Sequence, residues 1–192
     1  PRRQRDEASR DRAFAALAAG EYSWLFVTSA ASVEQLTARG VRIPATTRIA
    51  AVGPATARAV AASGAEVSFV PLGESSAAAM AAQWCAGRTP DTAGRSLVVR
   101  SDLATAVISD ELTLRGFAVD VCIAYRTVGV DLPREVASSL ARGTIDVVLL
   151  TSLSVARELR RQVGPLPAQV RVASIGPGTT RDAERLGFTV AH

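Results

Sequence analysis

"VGPATARAVAASGAEV", residues 52–67, returns near the end of the chain as "IGPGTTRDAERLGFTV", residues 175–190. Both stretches open on Gly-Pro-X-Thr, continue as a helical pattern, and close on a glycine followed by an apolar run. Gly53 stands to Gly176 as Thr56 stands to Thr179, since 176 − 53 = 179 − 56 = 123. The same ungapped offset pairs Thr28-Ser29 with Thr151-Ser152, Gly20 with Gly143, Pro44 with Pro167, Arg48 with Arg171, and Gly64 with Gly187. A repeat this long implies two related domains, because solenoid units recur at far shorter periods. The chain reads as a duplication.

Outward from these turns, short apolar runs alternate with helical stretches. "WLFVTS", "RIAAVG", "EVSFV", "RSLVVRS" and "VDVCIAY" read as strands, followed later by "DVVLLTS", "VRVASIG" and "FTVAH". Runs apolar on both faces suit parallel strands covered by helices. The intervening patterns predict helices over about 7–19, 31–39, 55–63, 75–86, 103–115, 133–142, 153–162 and 178–186. Over 103–115, Leu103, Val107 and Leu114 recur at helical spacing and Gly116 marks the exit. The expected fold class is therefore α/β, with two doubly wound parallel-sheet lobes related by duplication.

The offset also predicts what the second copy lacks. Residues 133–192 repeat residues 8–86 up to a point before the last helix, and a counterpart of residues 95–128 would start at 95 − 123 = −28. The 192 residues are thus expected to be a fragment, or to follow an N-terminal segment outside them. A returning lobe built from residues 133–192 alone would have three strands and an exposed sheet edge.

Composition narrows the function. The sequence is 48% hydrophobic and 21% charged, which suits a soluble globular protein and excludes wholesale disorder. No apolar run approaches the ~20 residues of a membrane span, and "PRRQRDEASRDR" has no apolar signal-peptide core. Cys85 and Cys122 have neither metal-ligand spacing nor a disulfide framework. The reading is a cytoplasmic protein with reduced thiols. Net charge is +4 and every basic side chain is arginine. The alternating N-terminal charges and scarce aromatics fit solvated helices better than a nucleic-acid surface.

Conventional catalytic sets are largely missing. His192 is the only histidine and the last residue, so neither a histidine triad nor a histidine metal site can be assembled. "GPGTTR" fails as a dinucleotide loop, because Arg181 holds the third glycine's place and Pro177 lacks an N–H. What remains is a set of strand-to-helix turns: Thr28-Ser29, Gly53-Pro54-Ala55-Thr56, Arg100-Ser101-Asp102, Thr151-Ser152 and Gly176-Pro177-Gly178-Thr179. In doubly wound sheets such turns gather where ligands bind, and their free N–H groups favour anions. The alternative is that these hydroxyls are ordinary helix caps.

"YSWLFVTSAASVEQL", "IAAVGPATARAV", "LVVRSDLA", "VDVCIAYRTV", "VVLLTSLSVARELR" and "VASIGPGTTRDAERLGFTV" resemble, in order, segments of the uroporphyrinogen-III synthase family. The resemblance covers nearly the whole chain, and "AYRTV" with the paired "GP-x-T" turns are its more specific parts. It implies two α/β lobes joined by a two-stranded linker with a cleft between them. Residues 1–125 would form the lobe to which the chain crosses, 126–132 the return linker, and 133–192 the returning part of the first lobe. The family's opening strand and helix, and its closing helix, have no counterpart in these residues.

The implied reaction is cyclisation of hydroxymethylbilane, a linear tetrapyrrole with eight carboxylates, to uroporphyrinogen III. Water is lost and ring D is inverted, through a proposed spiro intermediate, whereas unassisted closure gives the uninverted isomer I. Such chemistry is chiefly positioning and needs neither metal nor cofactor. The resemblance implies a catalytic role for Tyr125, assisting departure of the hydroxyl, since a phenol can donate a hydrogen bond at neutral pH. The alternative is a structural tyrosine at the lobe edge. Substrate contacts fall to Thr28, Ser29, Gly53, Pro54, Ala55, Thr56, Arg100, Ser101, Thr151, Ser152, Gly176, Gly178 and Thr179. Arg126 is a further candidate for a propionate, while Cys122, Trp24 and Trp84 read as packing. The expected partner is the upstream hydroxymethylbilane synthase, and the expected state a monomer that binds neither nucleic acid nor membrane. A non-catalytic ligand-binding or regulatory member of the family is the competing reading.

Overall fold

The computed structural model describes residues 2–191, with side chains from Glu7 onward. It divides into two compact units, Pro1–Thr127 and Val128–His192. The first contains, in order, α1 (Arg2–Ala18), β1 (Trp24–Val27), α2 (Ala30–Ala38), β2 (Arg48–Ala51), α3 (Pro54–Ala62) and β3 (Val67–Phe69). It continues with α4 (Ala77–Ala86), the single turn α5 (Pro90–Ala93), β4 (Ser96–Ser101), α6 (Val107–Leu114) and β5 (Val119–Tyr125).

The five strands are all parallel, in the order β3-β2-β1-β4-β5. The chain therefore winds outward from β1 in both directions, and the reversal falls between β1 and β4. Strands apolar on both faces need a helical layer on each. On one face Leu25, Val27, Ile49, Ala51, Leu97 and Val99 pack with Leu17, Val33, Leu36 and Val60. On the other, Trp24, Phe26, Ala50 and Val98 lie with Met80 and Trp84 of α4 and Ile108 and Leu112 of α6. Trp84 meets Trp24, Phe26 and Phe117 edge-on, at centroid distances of 5.3, 5.0 and 5.1 Å. Trp24, Trp84 and Cys122 are core residues, as the sequence predicts.

The second unit comprises α7 (Arg134–Arg142), β6 (Val147–Leu150), α8 (Leu153–Val163), β7 (Arg171–Ser174) and α9 (Pro177–Arg185). Its spans fall on those of the first unit at the offset found in the sequence. β6 corresponds to β1, β7 to β2 and α9 to α3, residue for residue, and α8 starts where α2 does. Gly20 and Gly143 both adopt left-handed φ, at 80° and 68°, where a side chain would be strained. Even the bridge between Val172 and Val190 repeats the pairing of Ile49 with Val67.

Three expectations need correcting. The strand expected over 188–192 is only that single bridge among the described residues, so the second unit's sheet has two strands, and His192 lies outside the described residues. The helix expected over 103–115 starts at Val107, because residues 101–106 form a separate turn in which Ser101 Oγ accepts from the Ala104 N–H at 3.1 Å. Its buried face is consequently Ile108 and Leu112, while Leu103 and Leu114 are exposed. The α5 turn was not expected at all.

Candidate functional site

The carboxyl ends of β1, β4 and β5 surround a pocket of about 450 Å³ in the first unit. Thr28 and Ser29 enter it from the turn after β1, Arg100 and Ser101 from the end of β4, and Tyr125 from the end of β5. These five were candidates from sequence, and the fold brings them together at the reversal point of the sheet. Ser75 and Ser76 ahead of α4, and Thr105 and Ser109 around the start of α6, line the same pocket but were missed. "ESSAAAM" carried the signal for the first two, as another hydroxyl pair between a strand and a helix. Among the described residues, no aspartate or glutamate lines the pocket.

Tyr125 owes its aim to an irregularity in the sheet. Arg100 pairs with Ile123 and Ser101 with Tyr125, which leaves Ala124 as an extra residue on β5. A bulge of this kind re-aims the next side chain. Tyr125 packs against the same core as Cys122 and Ala124, and its hydroxyl lies 2.9 Å from Ser29 Oγ. The strand ends are tied as well: the Asp102 N–H donates to the Tyr125 carbonyl (3.1 Å), and Asp102 Oδ1 accepts from the Thr127 N–H (3.0 Å).

Ser29 caps α2, in extended conformation, and its Oγ accepts from the Ser32 N–H at 3.2 Å. Ser32 Oγ is 3.1 Å from Ser29 Oγ and donates to the Val99 carbonyl at 3.3 Å. Thr28 Oγ1 donates to that carbonyl too, also at 3.3 Å. Arg100 is held by a hydrogen bond from Nη1 to the Ala104 carbonyl. Its Nε is buried without a partner, and among the described residues it forms no ion pair with a carboxylate. A cation without an anion, ringed by hydroxyls and a helix N-terminus, is a place for a carboxylate ligand.

The Gly53 turn borders this pocket by a different route. A Cβ at Gly53 would sit 2.7 Å from Ser75 Oγ and 2.8 Å from Ser75 Cβ, so the glycine is what admits the pocket-lining serine. Thr56 is buried at 4% exposure and turned into the unit, which removes its side chain from ligand contact. Pro54 and Ala55 are exposed on the first turn of α3.

In the second unit, Ser152 caps α8 by accepting from the Val155 N–H at 3.3 Å, and Gly176 opens α9 ahead of Pro177. Thr151 and Gly178 are exposed and Thr179 is half-buried, with nothing within 4 Å of a Cβ at Gly176 or Gly178.

Other reactive groups are accounted for by packing. Burial pushes the Cys122 thiol up to about 12 and the Cys85 thiol upward, so neither is a nucleophile at neutral pH. At the opposite end of the sheet, Tyr22 donates to Asp120 Oδ2 at 2.8 Å and Arg95 bridges Asp120 at 2.6 Å and Glu21 at 3.1 Å. Burial, then the bond to Asp120, raise the Tyr22 phenol to about 12. A second, shallow depression, about 560 Å³, lies between α3 and the start of β3, from Ala57 to Val67, and no hydroxyl is among its described lining residues. Among the described residues no cluster of His, Cys, Asp and Glu could hold a metal, and no helix is long and apolar enough to cross a membrane.

Comparison with known proteins adds the family. A family model described as "Uroporphyrinogen-III synthase HemD" matches residues 2–192. No curated protein matches the chain. Among solved structures, a mutant uroporphyrinogen III synthase from the extremely thermophilic bacterium Thermus thermophilus is 19% identical, with a TM-score of 0.62 over 96% of this chain and 76% of that one. The Helicobacter pylori uroporphyrinogen-III synthetase is 15% identical, with a TM-score of 0.67 over 89% and 76%. The wild-type Thermus thermophilus enzyme gives a TM-score of 0.55 at 18% identity, over 94% and 74%. At these identities the likeness is one of fold: mixed α/β with a parallel sheet.

Proposed function

The chain belongs to the uroporphyrinogen-III synthase family, and from that premise we propose that the pocket between β1, β4 and β5 is where its bilane is activated for ring closure. The chain is a cyclising lyase of haem biosynthesis acting on a tetrapyrrole. The observation that carries the siting is the Tyr125–Ser29 hydroxyl pair beside an arginine with no anionic partner among the described residues, in a pocket without acidic side chains.

In this reading Arg100 and the free N–H groups at the start of α2 hold carboxylates at one end of hydroxymethylbilane. Tyr125 donates its proton to the departing hydroxyl. The carbon–oxygen bond breaks with its electron pair on oxygen, water leaves, and the pyrrole nitrogen's lone pair stabilises the remaining cation. The substituted carbon of ring D attacks that cation to give a spiro intermediate. Its bond to the ring-C methylene then breaks, the methylene rebonds at the free α-carbon of ring D, and the proton lost from that α-carbon returns to the Tyr125 oxygen. Atoms balance as bilane giving macrocycle plus water. Positioning supplies most of the acceleration and the phenol the acid.

The common offset supports descent of both units from one duplicated unit, linked through residues 126–132. Ser152, Gly176 and Gly178 then serve as further carboxylate donors on the second copy. We read the chain as a cytoplasmic monomer supplied by hydroxymethylbilane synthase. The test is to feed the chain freshly made hydroxymethylbilane and separate the isomers. Uroporphyrinogen III is expected; isomer I alone, at the unassisted rate, contradicts the reading.

A further inference from the structure

We infer that Ser32 and Ser29 are positioning residues that form, with Tyr125, a reversible chain of hydroxyls, so that the phenol can give up its proton and still be hydrogen-bonded. The inference rests on the role of Tyr125 given above and adds how that role is sustained.

The direction of the chain at rest follows from counting protons. Ser32 has one hydroxyl proton, and it goes to the Val99 carbonyl at 3.3 Å. The 3.1 Å contact between the serines is then donated by Ser29, which leaves Ser29 Oγ as the acceptor of the 2.9 Å bond from Tyr125. At rest the series therefore runs Tyr125 to Ser29 to Ser32 to Val99. When the phenol proton leaves with the hydroxyl, the phenolate needs a donor in place of an acceptor. Rotation of the Ser29 hydroxyl provides one, and rotation of Ser32 toward Ser29 completes the reversal. No heavy atom has to move.

Two features make the reversal inexpensive. Thr28 Oγ1 also donates to the Val99 carbonyl, so that oxygen keeps a partner when Ser32 turns away. Both serines of the chain sit at the N-terminus of α2, whose dipole favours the negative charge formed next to them.

The second unit shows that Ser32 is not needed to build the helix. At the common offset Ser29 corresponds to Ser152 and Ser32 to Val155. Ser152 caps α8 through the backbone N–H of that valine, just as Ser29 caps α2 through that of Ser32. Burying a hydroxyl is costly unless it is bonded, and Ser32 is fully buried. At this helix position, a buried hydroxyl thus occurs in the unit where a tyrosine meets the cap, and a valine stands in the other.

The test is a double-mutant cycle on the full chain, with kcat, KM, isomer ratio and Tm measured for wild type, Ser32→Ala, Tyr125→Phe and the double variant. Ser32→Ala removes one oxygen and leaves the backbone cap in place. It should lower kcat by about tenfold with KM and Tm nearly unchanged, and should cost nothing further in the Tyr125→Phe background. Ser32→Thr, which keeps the hydroxyl, should retain kcat even where the added methyl lowers Tm. A purely structural serine would give equal losses in both backgrounds, or follow Tm, and either result overturns the inference. Isomer III from wild type together with undiminished kcat in Ser32→Ala overturns it alone. Isomer I alone from wild type overturns it together with the reading of the site.

Discussion

The two units lay strands and helices on the same frame, 123 positions apart, yet differ in what that frame carries. In the first, Trp24 and Phe26 of β1 are buried beneath α4 and α6. In the second, Val147 and Leu149 stand at the same places and are half exposed, at 50% and 59%. In the first, the cap after β1 is joined to a buried serine and a tyrosine; in the second, the cap's hydroxyl partners among the described residues reduce to its neighbour Ser154, at 2.9 Å, beside the Val155 N–H it accepts from. The turns are therefore a property of the frame. The proton chemistry we propose belongs to the first unit, where β5 brings Tyr125 to the cap.

Substitutions at matched positions break this comparison most sharply. Phe26→Ala should destabilise the first unit by about 3–5 kcal/mol, through a cavity beside Trp84. Leu149→Ala, at the matching site, should change stability by less than ~0.5 kcal/mol. Denaturant melts of the two variants measure the difference.

Arg100→Met should come next. It removes the Arg100 cation, which has no carboxylate partner among the described residues, while keeping a stem of similar bulk. KM for the bilane should rise about tenfold or more, equivalent to ~1.5–3 kcal/mol for a charge-assisted bond, with kcat less affected. The matched glycines then separate packing from ligand approach. Gly53→Ala should cost about 1–3 kcal/mol because Ser75 blocks the new methyl, whereas Gly176→Ala meets open space and should stay within ~0.5 kcal/mol. Both glycines are extended, so backbone strain does not enter.

An effect confined to alkaline pH concerns the amino end of the first sheet. With the Tyr22 phenol at about 12 in the folded state, above its ordinary ~10, the folded form holds the proton more tightly. Stability should thus be constant below pH ~10 and fall as pH rises from there toward 12. Tyr22→Phe should flatten that decline, as measured by melts across the pH series. The second unit, with Ile145 at the matching place, has no such group there.

Much of this architecture was legible because the 123-residue offset is ungapped. Any strand or turn read in one copy could be checked in the other. The start of α6 was not, because Leu103, Val107 and Leu114 imitate a helical face. Only the Ser101 cap and the Arg100 bond to Ala104 show that residues 101–106 curl separately. Thr56 looked available because its neighbours in the turn are, yet it points inward. Ser32 gave no signal of its own, since a serine within an alanine-rich helix is unremarkable until a strand from elsewhere supplies Val99 and Tyr125. Local pattern identifies turns; which hydroxyls share a proton depends on register between strands far apart in sequence.

The most direct measurement is the rate and isomer composition of product from hydroxymethylbilane with Tyr125→Phe, monitored alongside Tm. The account predicts a loss of isomer III formation of about 10²-fold, isomer I accumulating by unassisted closure, and a Tm close to wild type. Isomer III formed at the wild-type rate by a folded Tyr125→Phe chain would contradict it.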